Sequence, residues 1–242
     1  MRNKLDIVIG IGTNRADTLP ITLASIASQK LLPNEIVICN QGFTNIMDSY
    51  QVRIMIDILS NMGVSMVIKR FVSEKGAPLI KKRVLEHFLN SKSKHCLIMD
   101  DDHLINPGLL ENTILLLKKN ELIVPIFLVP NNEALGIENF IELNDKDSQG
   151  KLFELYTTRN INKVKELTFP VLDGCMAFKK ESLFKVMDSI NFKLPEMVEI
   201  SREFLKIGKG VISGDFVWHL IIPNKNSVYN NMSIQEVENE FK

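Results

Sequence analysis

Short runs of β-branched and aliphatic residues alternate with stretches of helical apolar spacing over the first 120 or so positions of the chain. Residues 6–11 (DIVIGI) form one such run, and residues 18–29 carry the spacing of a helix. A second run, 35–39 (EIVIC), stops at the turn-forming Asn40, Gln41 and Gly42; helical spacing follows over 45–62 and ends at Gly63. Residues 64–69, 78–89 and 94–99 (KHCLIM) continue as strand, helix and strand. Strands alternating with helices in this way are the sequence pattern of a parallel sheet covered by helices, so this half predicts a doubly wound α/β sheet.

The rhythm then changes. Residues 122–129 (LIVPIFLV) predict another strand, in which Pro125 marks an edge or a bulge because it has no N–H to give a ladder. Residues 131–168 are rich in Asn, Asp, Lys and Glu without clear periodicity, an excursion of the kind that shapes a binding site. Strand character returns at 169–178, helical spacing at 180–187 and 196–207, and an extended run at 211–218. With no repeat and no Pro- or Ser-rich linker, one domain over 1–242 is expected.

Composition narrows the partners more than the fold. A chain of 242 residues that is 45% hydrophobic and 24% charged can bury a full core unaided. Its 29 Lys and Arg balance 29 Asp and Glu, so no global field draws it to nucleic acid or to an anionic membrane, and a charged ligand must be held locally. Cys39, Cys96 and Cys175 are odd in number, far apart and set in apolar runs, which reads as reduced core thiols. No apolar run reaches the roughly 18 residues of a membrane span, and the opening apolar stretch is too short for a secretory signal. A cytoplasmic protein is expected, with at most a weak peripheral contact to the inner face of the membrane.

The most informative stretch is Asp100, Asp101 and Asp102, which end the fourth strand and precede His103, Leu104, Ile105, Asn106, Pro107 and the next helix. Ligands of open α/β sheets bind beyond the carboxyl ends of the strands, so these groups face a crevice. Three adjacent carboxylates repel unless a cation or several donors offset them. Alternate residues of an extended segment point the same way, so Asp100 and Asp102 can share one hard divalent cation, Mn2+ or Mg2+, while Asp101 faces elsewhere. The plainer alternative is a solvated acidic loop in which Asp102 or Asn106 caps the helix that follows.

The segment LIMDDDHLINPGLLE (97–111) resembles the family 2 glycosyltransferases, whose strand ends in a DxD motif with a proline before the next helix. IVIGIGTNRADTLPITLASIASQ (7–29), EIVICNQG (35–42), EKGAPLIKKRVLEHF (74–88) and DGCMAFKKESLFKV (173–186) are similar, in order, to further segments of that family. The resemblance implies a GT-A fold, with a nucleotide-sugar-binding half over 1–120, an acceptor and catalytic half over 121–222, and a tail over 223–242. It implies that Gly12, Thr13, Asn14 and Arg15 line the nucleotide pocket and that Asn40 and Gln41 lie beside the base, where the family commonly has carboxylates. Lys81, or its neighbours Lys82 and Arg83, would approach the base or phosphates. Asp100 would lie near the ribose and the metal, Asp101 on the nucleotide side, and Asp102 would ligate the metal directly.

The catalytic base is where this chain departs from the family. PEMVEISREFLKIGKGVI (195–212) fits the helix that usually opens with an acidic pair, with Glu196 on the first position and Met197 on the second. Glu196 and Asp215 are both candidates, with Glu199 behind them. In ISGDFVWHL (212–220), Trp218 and His219 fall where related transferases place an aromatic residue and a metal-binding histidine; alternatively Asp215 is itself the acidic motif, with His219 following on a helix. Asp173 and Trp218 are candidates for the acceptor site. The resemblance therefore implies transfer of a sugar from a nucleotide-diphosphate donor, UDP most often, to a saccharide, lipid-linked or protein-linked hydroxyl in cell-surface polysaccharide or glycoconjugate synthesis, with inversion. Two other readings stand beside it: a nucleotidyltransferase that makes the activated sugar, for which GIGTNRADTL (10–19) is a poor glycine-rich loop, and a non-catalytic nucleotide- or glycan-binding domain.

Overall fold

The apolar runs form strands because their β-branched residues stack on both faces of one sheet. The computed structural model describes residues 4–74, 76–128, 164–167, 170–171, 174–193 and 196–220. Most of the excursion expected at 131–168, together with Asp173 and the tail over 223–242, lies outside the described residues. The first half runs β1 (Lys4–Thr13), α1 (Leu19–Ala27), β2 (Leu32–Gln41), a 3-10 turn (Ile46–Asp48), α2 (Tyr50–Asn61), β3 (Ser65–Phe71), α3 (Ala77–Asn90) and β4 (His95–Asp100). The second half runs β5 (His103–Ile105), α4 (Leu109–Leu117), β6 (Leu122–Leu128), β7 (Lys165–Leu167), β8 (Met176–Lys179), α5 (Lys180–Val186), α6 (Glu196–Ile207) and β9 (Gly210–His219).

One sheet takes the order β3-β2-β1-β4-β8-β6-β9-β5, and β7 also pairs with β9. β3, β2, β1 and β4 are mutually parallel, an arrangement their helical connections make possible. β8 enters antiparallel between β4 and β6, and β9 lies parallel to β6 and antiparallel to β5. Gly12 pairs with Cys39 on one side and with Asp100 on the other, so the ends of β1, β2 and β4 are level. Pro125 sits in an interior strand, where the register with β9 slips between Val124 and Ile126; it marks a bulge and not an edge.

Alternation along β1 sends Ile7, Ile9 and Ile11 into a core with Leu19, Leu23 and Ile26 of α1, Val52, Ile56 and Leu59 of α2, and Leu109, Leu110 and Leu117 of α4. Val8 faces the opposite core with Val37, Ile80, Val84 and Phe88, and with Met197, Ile200 and Phe204 of α6. Each such buried aliphatic or aromatic side chain contributes roughly 1.5–3 kcal/mol. The second face of β1 carries Gly10 and Gly12, which lets α3 lie close against the strand. A Cβ on Gly10 would stand 2.1 Å from Val84 Cγ1, and one on Gly12 would stand 2.8 Å from Ile80 Cγ2. Gly10→Ala should therefore push α3 off β1 and cost about 1–3 kcal/mol, visible as a lowered urea midpoint with an unchanged slope. Among the described residues, no helix is long and apolar enough to cross a membrane.

Candidate functional site

Three chain segments meet at the level strand ends: the loop after β1, the turn between β4 and β5, and the end of β9. The three aspartates diverge there. Asp101 turns toward the β1 loop, where its carboxylate accepts from the Thr13 hydroxyl and from Arg15, with Nη2 at 3.0 Å and Nε at 3.2 Å. The Thr13 oxygen in turn accepts the Arg15 backbone N–H at 3.1 Å. Burial pushes the Asp101 carboxyl up to about 6, although the Arg15 charge works against it. Arg15 also reaches Asp102, and these two carboxylates hold its guanidinium charged despite burial.

Asp102 lies with His103 and His219. One ligand atom from each of these residues lies within 4.8 Å of the others, and all three groups are buried or half-buried. His219 Nε2 stands 3.3 Å from Asp102 Oδ2. Burial would raise the Asp102 carboxyl, but the hydrogen bond from His219 and the Arg15 charge hold it well below the usual carboxylate range. The same carboxylate raises His219, against burial. Asp102 Oδ1 is buried with no hydrogen-bond partner. A buried acceptor without a donor is costly, and an oxygen so placed beside an imidazole fits a hard divalent cation. Asp102, with the imidazoles of His103 and His219 beside it, is thus suited to hold Mn2+ or Mg2+.

Asp100 points toward α3 and pairs with Lys81. Lys81 is buried, on the same helical stripe as Val84, Leu85 and Phe88. Burial alone would lower it, but Asp100 keeps it charged. Glu196, at the start of α6, is also buried, with Oε2 lacking a partner. Burial raises its carboxyl, and Lys81 partly offsets that. Lys81 therefore lies within electrostatic reach of both Asp100 and Glu196. Gly174 seats the Asp100 carboxylate: a Cβ there would stand 1.9 Å from Asp100 Oδ2 and 2.8 Å from His103 Cε1. Gly174→Ala should displace both side chains, lower stability by about 1–3 kcal/mol and remove ligand binding at the site; urea unfolding and ligand titration of the same preparation check the two effects.

The remaining residues singled out in the sequence fall on either side of this cluster. Gly12 lies under Ile80, and Asn14 is exposed in the β1 loop. Asn40 is buried and braces the loop that follows it, its oxygen accepting the Ile46 N–H at 3.3 Å. Gln41 is buried at the end of β2, and its Oε1 has no partner. Asp215 is buried on β9, four residues before His219, where Oδ1 accepts from the amides of Asn106 at 3.2 Å and Asn112 at 3.0 Å. Since residues 210–219 form a strand and not a helix, Asp215 and His219 are separated by roughly 13 Å of extended chain. Trp218 alternates to the opposite face, is 40% exposed and meets Phe216 edge-on at 6.1 Å. Asp173 lies outside the described residues. His103 was not among the residues predicted, and the signal for it was slight: a histidine directly after three carboxylates.

No protein-family profile matches the chain, and no curated protein matches it in sequence. Solved structures do match. A mannosyltransferase from Pyrobaculum calidifontis in complex with GDP-Man and Mn2+ superposes with a TM-score of 0.63 at 14% identity, over 93% of this chain and 60% of its own. S. aureus TarS 1–349 in complex with UDP gives 0.60 at 12% identity, over 88% and 60% of the two chains. GalNAc-T7 with UDP, GalNAc and Mn2+ gives 0.64 at 14% identity, over 91% and 45%. This chain thus spans 60% or less of the length of these three proteins. The likeness is one of fold: a mixed α/β sheet of the GT-A type.

Proposed function

We propose that this protein is a metal-dependent glycosyltransferase of the family 2 kind, moving a sugar from a nucleotide-diphosphate donor to a hydroxyl acceptor with inversion. The observation that carries this reading is the buried Asp102 carboxylate, whose Oδ1 has no hydrogen-bond partner and whose Oδ2 faces His219, at the sheet edge of a fold in which solved structures hold GDP-Man or UDP and Mn2+. A divalent cation bound there supplies positive charge against the donor diphosphate. The chain's own groups do the rest. Thr13, Arg15 and Gln41 line the cleft from the β1 and β2 ends and hold the nucleotide, and Asp100, paired with Lys81, accepts from the ribose.

Glu196 is the base we assign. Burial and a raised carboxyl suit a group that must take a proton near neutral pH. The acceptor O–H gives its proton to Glu196, the acceptor oxygen bonds to the anomeric carbon from the face opposite the diphosphate, and the anomeric C–O bond breaks with its electron pair leaving on the phosphate oxygen. Asp215 already accepts two amide hydrogen bonds and is better read as bracing α4 against β9. The proposed setting is the cytoplasmic assembly of cell-surface polysaccharide or glycoconjugate.

The test is a panel of nucleotide-sugars with Mn2+, Mg2+ or chelator, followed by thermal unfolding and by release of nucleoside diphosphate. One nucleotide class should stabilise only with metal, by about 2.7 kcal/mol at 100 times its dissociation constant. Release should rise when a hydroxyl acceptor is added. Pyrophosphate release from a nucleoside triphosphate and a sugar phosphate would replace this reading with a nucleotidyltransferase, and ligand stabilisation without turnover would replace it with a binding domain.

A further inference from the structure

The two histidines near Asp102 are not equivalent. His103 opens β5, is fully buried, and its Nδ1 accepts the backbone N–H of Asp100 at 3.2 Å. An N–H is given only to a lone pair, so Nδ1 is unprotonated and the neutral ring carries its proton on Nε2. That Nε2 faces both carboxylates of the DxD pair, 3.8 Å from Asp100 Oδ2 and 3.8 Å from Asp102 Oδ1. A protonated ring nitrogen has no lone pair for a metal. Moving the proton to Nδ1 would set it against the Asp100 N–H, donor against donor. The ring is also closed in by the Gly174 backbone and by His219, whose ring stands edge-on at 5.2 Å.

We propose that His103 is a positioning residue and not a metal ligand: its Nε2–H is aimed between Asp100 and Asp102 and fixes how the two carboxylates diverge, one toward Lys81 and one toward His219. The ion is then left to Asp102 and His219. This rests on the metal site assigned above, and extends it by removing one of the three groups that lie within coordination distance. A histidine that bonds its neighbour's backbone and not the ion acts as an outer support, a class whose loss typically weakens metal affinity by about 10- to 100-fold.

The experiment uses the full chain labelled with 15N-histidine, with the four histidine signals sorted by the one that vanishes in His103→Gln. Long-range proton–nitrogen correlations in the metal-free protein should show His103 with a bare Nδ1 and a protonated Nε2. Added 113Cd2+, a diamagnetic stand-in for Mn2+, should couple to a His219 nitrogen and leave His103 unchanged. His103→Gln, which returns an N–H near the Nε2 position, should keep Mn2+ affinity within a few-fold, whereas His103→Ala should lose about tenfold or more. Cadmium coupling at His103, a protonated Nδ1, or equal losses in both variants would overturn the proposal. Failure of Cd2+ and Mn2+ to bind, with the Nε2–H form intact, would count against the metal site and not against the orientation of His103.

Discussion

Glu196→Gln is expected to lower sugar transfer by roughly 100- to 10,000-fold while donor binding in the presence of metal is retained. The substitution keeps the shape and removes only the proton-accepting charge, so a fall in kcat without a matching change in donor affinity identifies the base. Two accompanying signs follow from burial. In the wild type the basic form is lost as pH falls through a carboxyl raised above the ordinary 4.5, so the acid limb of the kcat profile should lie above that value and be absent from the residual activity of the variant. For stability the sign is opposite to that of a salt-bridged acid. A group with a raised folded pKa contributes stability below its unfolded pKa, and this is lost as pH rises through the folded one. The variant, which has no such charge to bury, should therefore be at least as stable as wild type at neutral pH. Unchanged turnover in Glu196→Gln would move the base elsewhere, with Asp215→Asn the next variant to measure.

Asp102→Ala should abolish the metal-dependent part of ligand binding. In the unliganded fold Asp102 is held by Arg15 and His219, and Arg15 keeps its bonds to Asp101 when Asp102 is removed. The variant should consequently fold, and its melting temperature should simply cease to respond to nucleotide plus metal, losing the stabilisation of about 2.7 kcal/mol expected at 100 times the dissociation constant. Asp102→Asn is the sharper control, since it keeps volume and hydrogen-bonding capacity but gives a cation only a neutral oxygen. A full metal-dependent shift in both variants would leave the partnerless Oδ1 without a role in cation binding.

The parallel half of the fold was legible because its strands are long aliphatic runs with helices of clear period between them; β1, β2 and β4 differ from their predicted spans only by a few terminal residues. β5 was not legible. Three residues, His103 to Ile105, carry no period, and what makes them a strand is pairing with residues 217–219 from the far end of the chain. The antiparallel entry of β8 between β4 and β6 is equally non-local. At the site, the aspartates were readable as a cluster, but the parting of Asp100 toward Lys81 from Asp102 toward His219 was not, since it depends on residues arriving from other elements. Lys81 carried a signal of its own: it shares a stripe with Val84, Leu85 and Phe88, and a lysine on the apolar face of a helix needs a buried counter-charge. In a run of three basic residues, only that stripe sets Lys81 apart from Lys82 and Arg83.

The short β5–β9 ladder has a consequence for how the molecule assembles. It joins His103 to His219 across 115 intervening positions, and the Leu220 N–H bonds the Asp102 carbonyl at 2.8 Å beside it. The three β5–β9 pairs return little for the chain entropy of so long a connection, and β9 is brought within reach by its longer pairing with β6, so the β5–β9 ladder should form after the rest of the sheet has condensed. The Asp102–His219 pair then comes into being only with that late step, and a cation held there would act as a clasp on it. Amide exchange at residues 103–105 and 217–219 should be faster than in β1 or β4 without ligand, and slow selectively when Mn2+ is added.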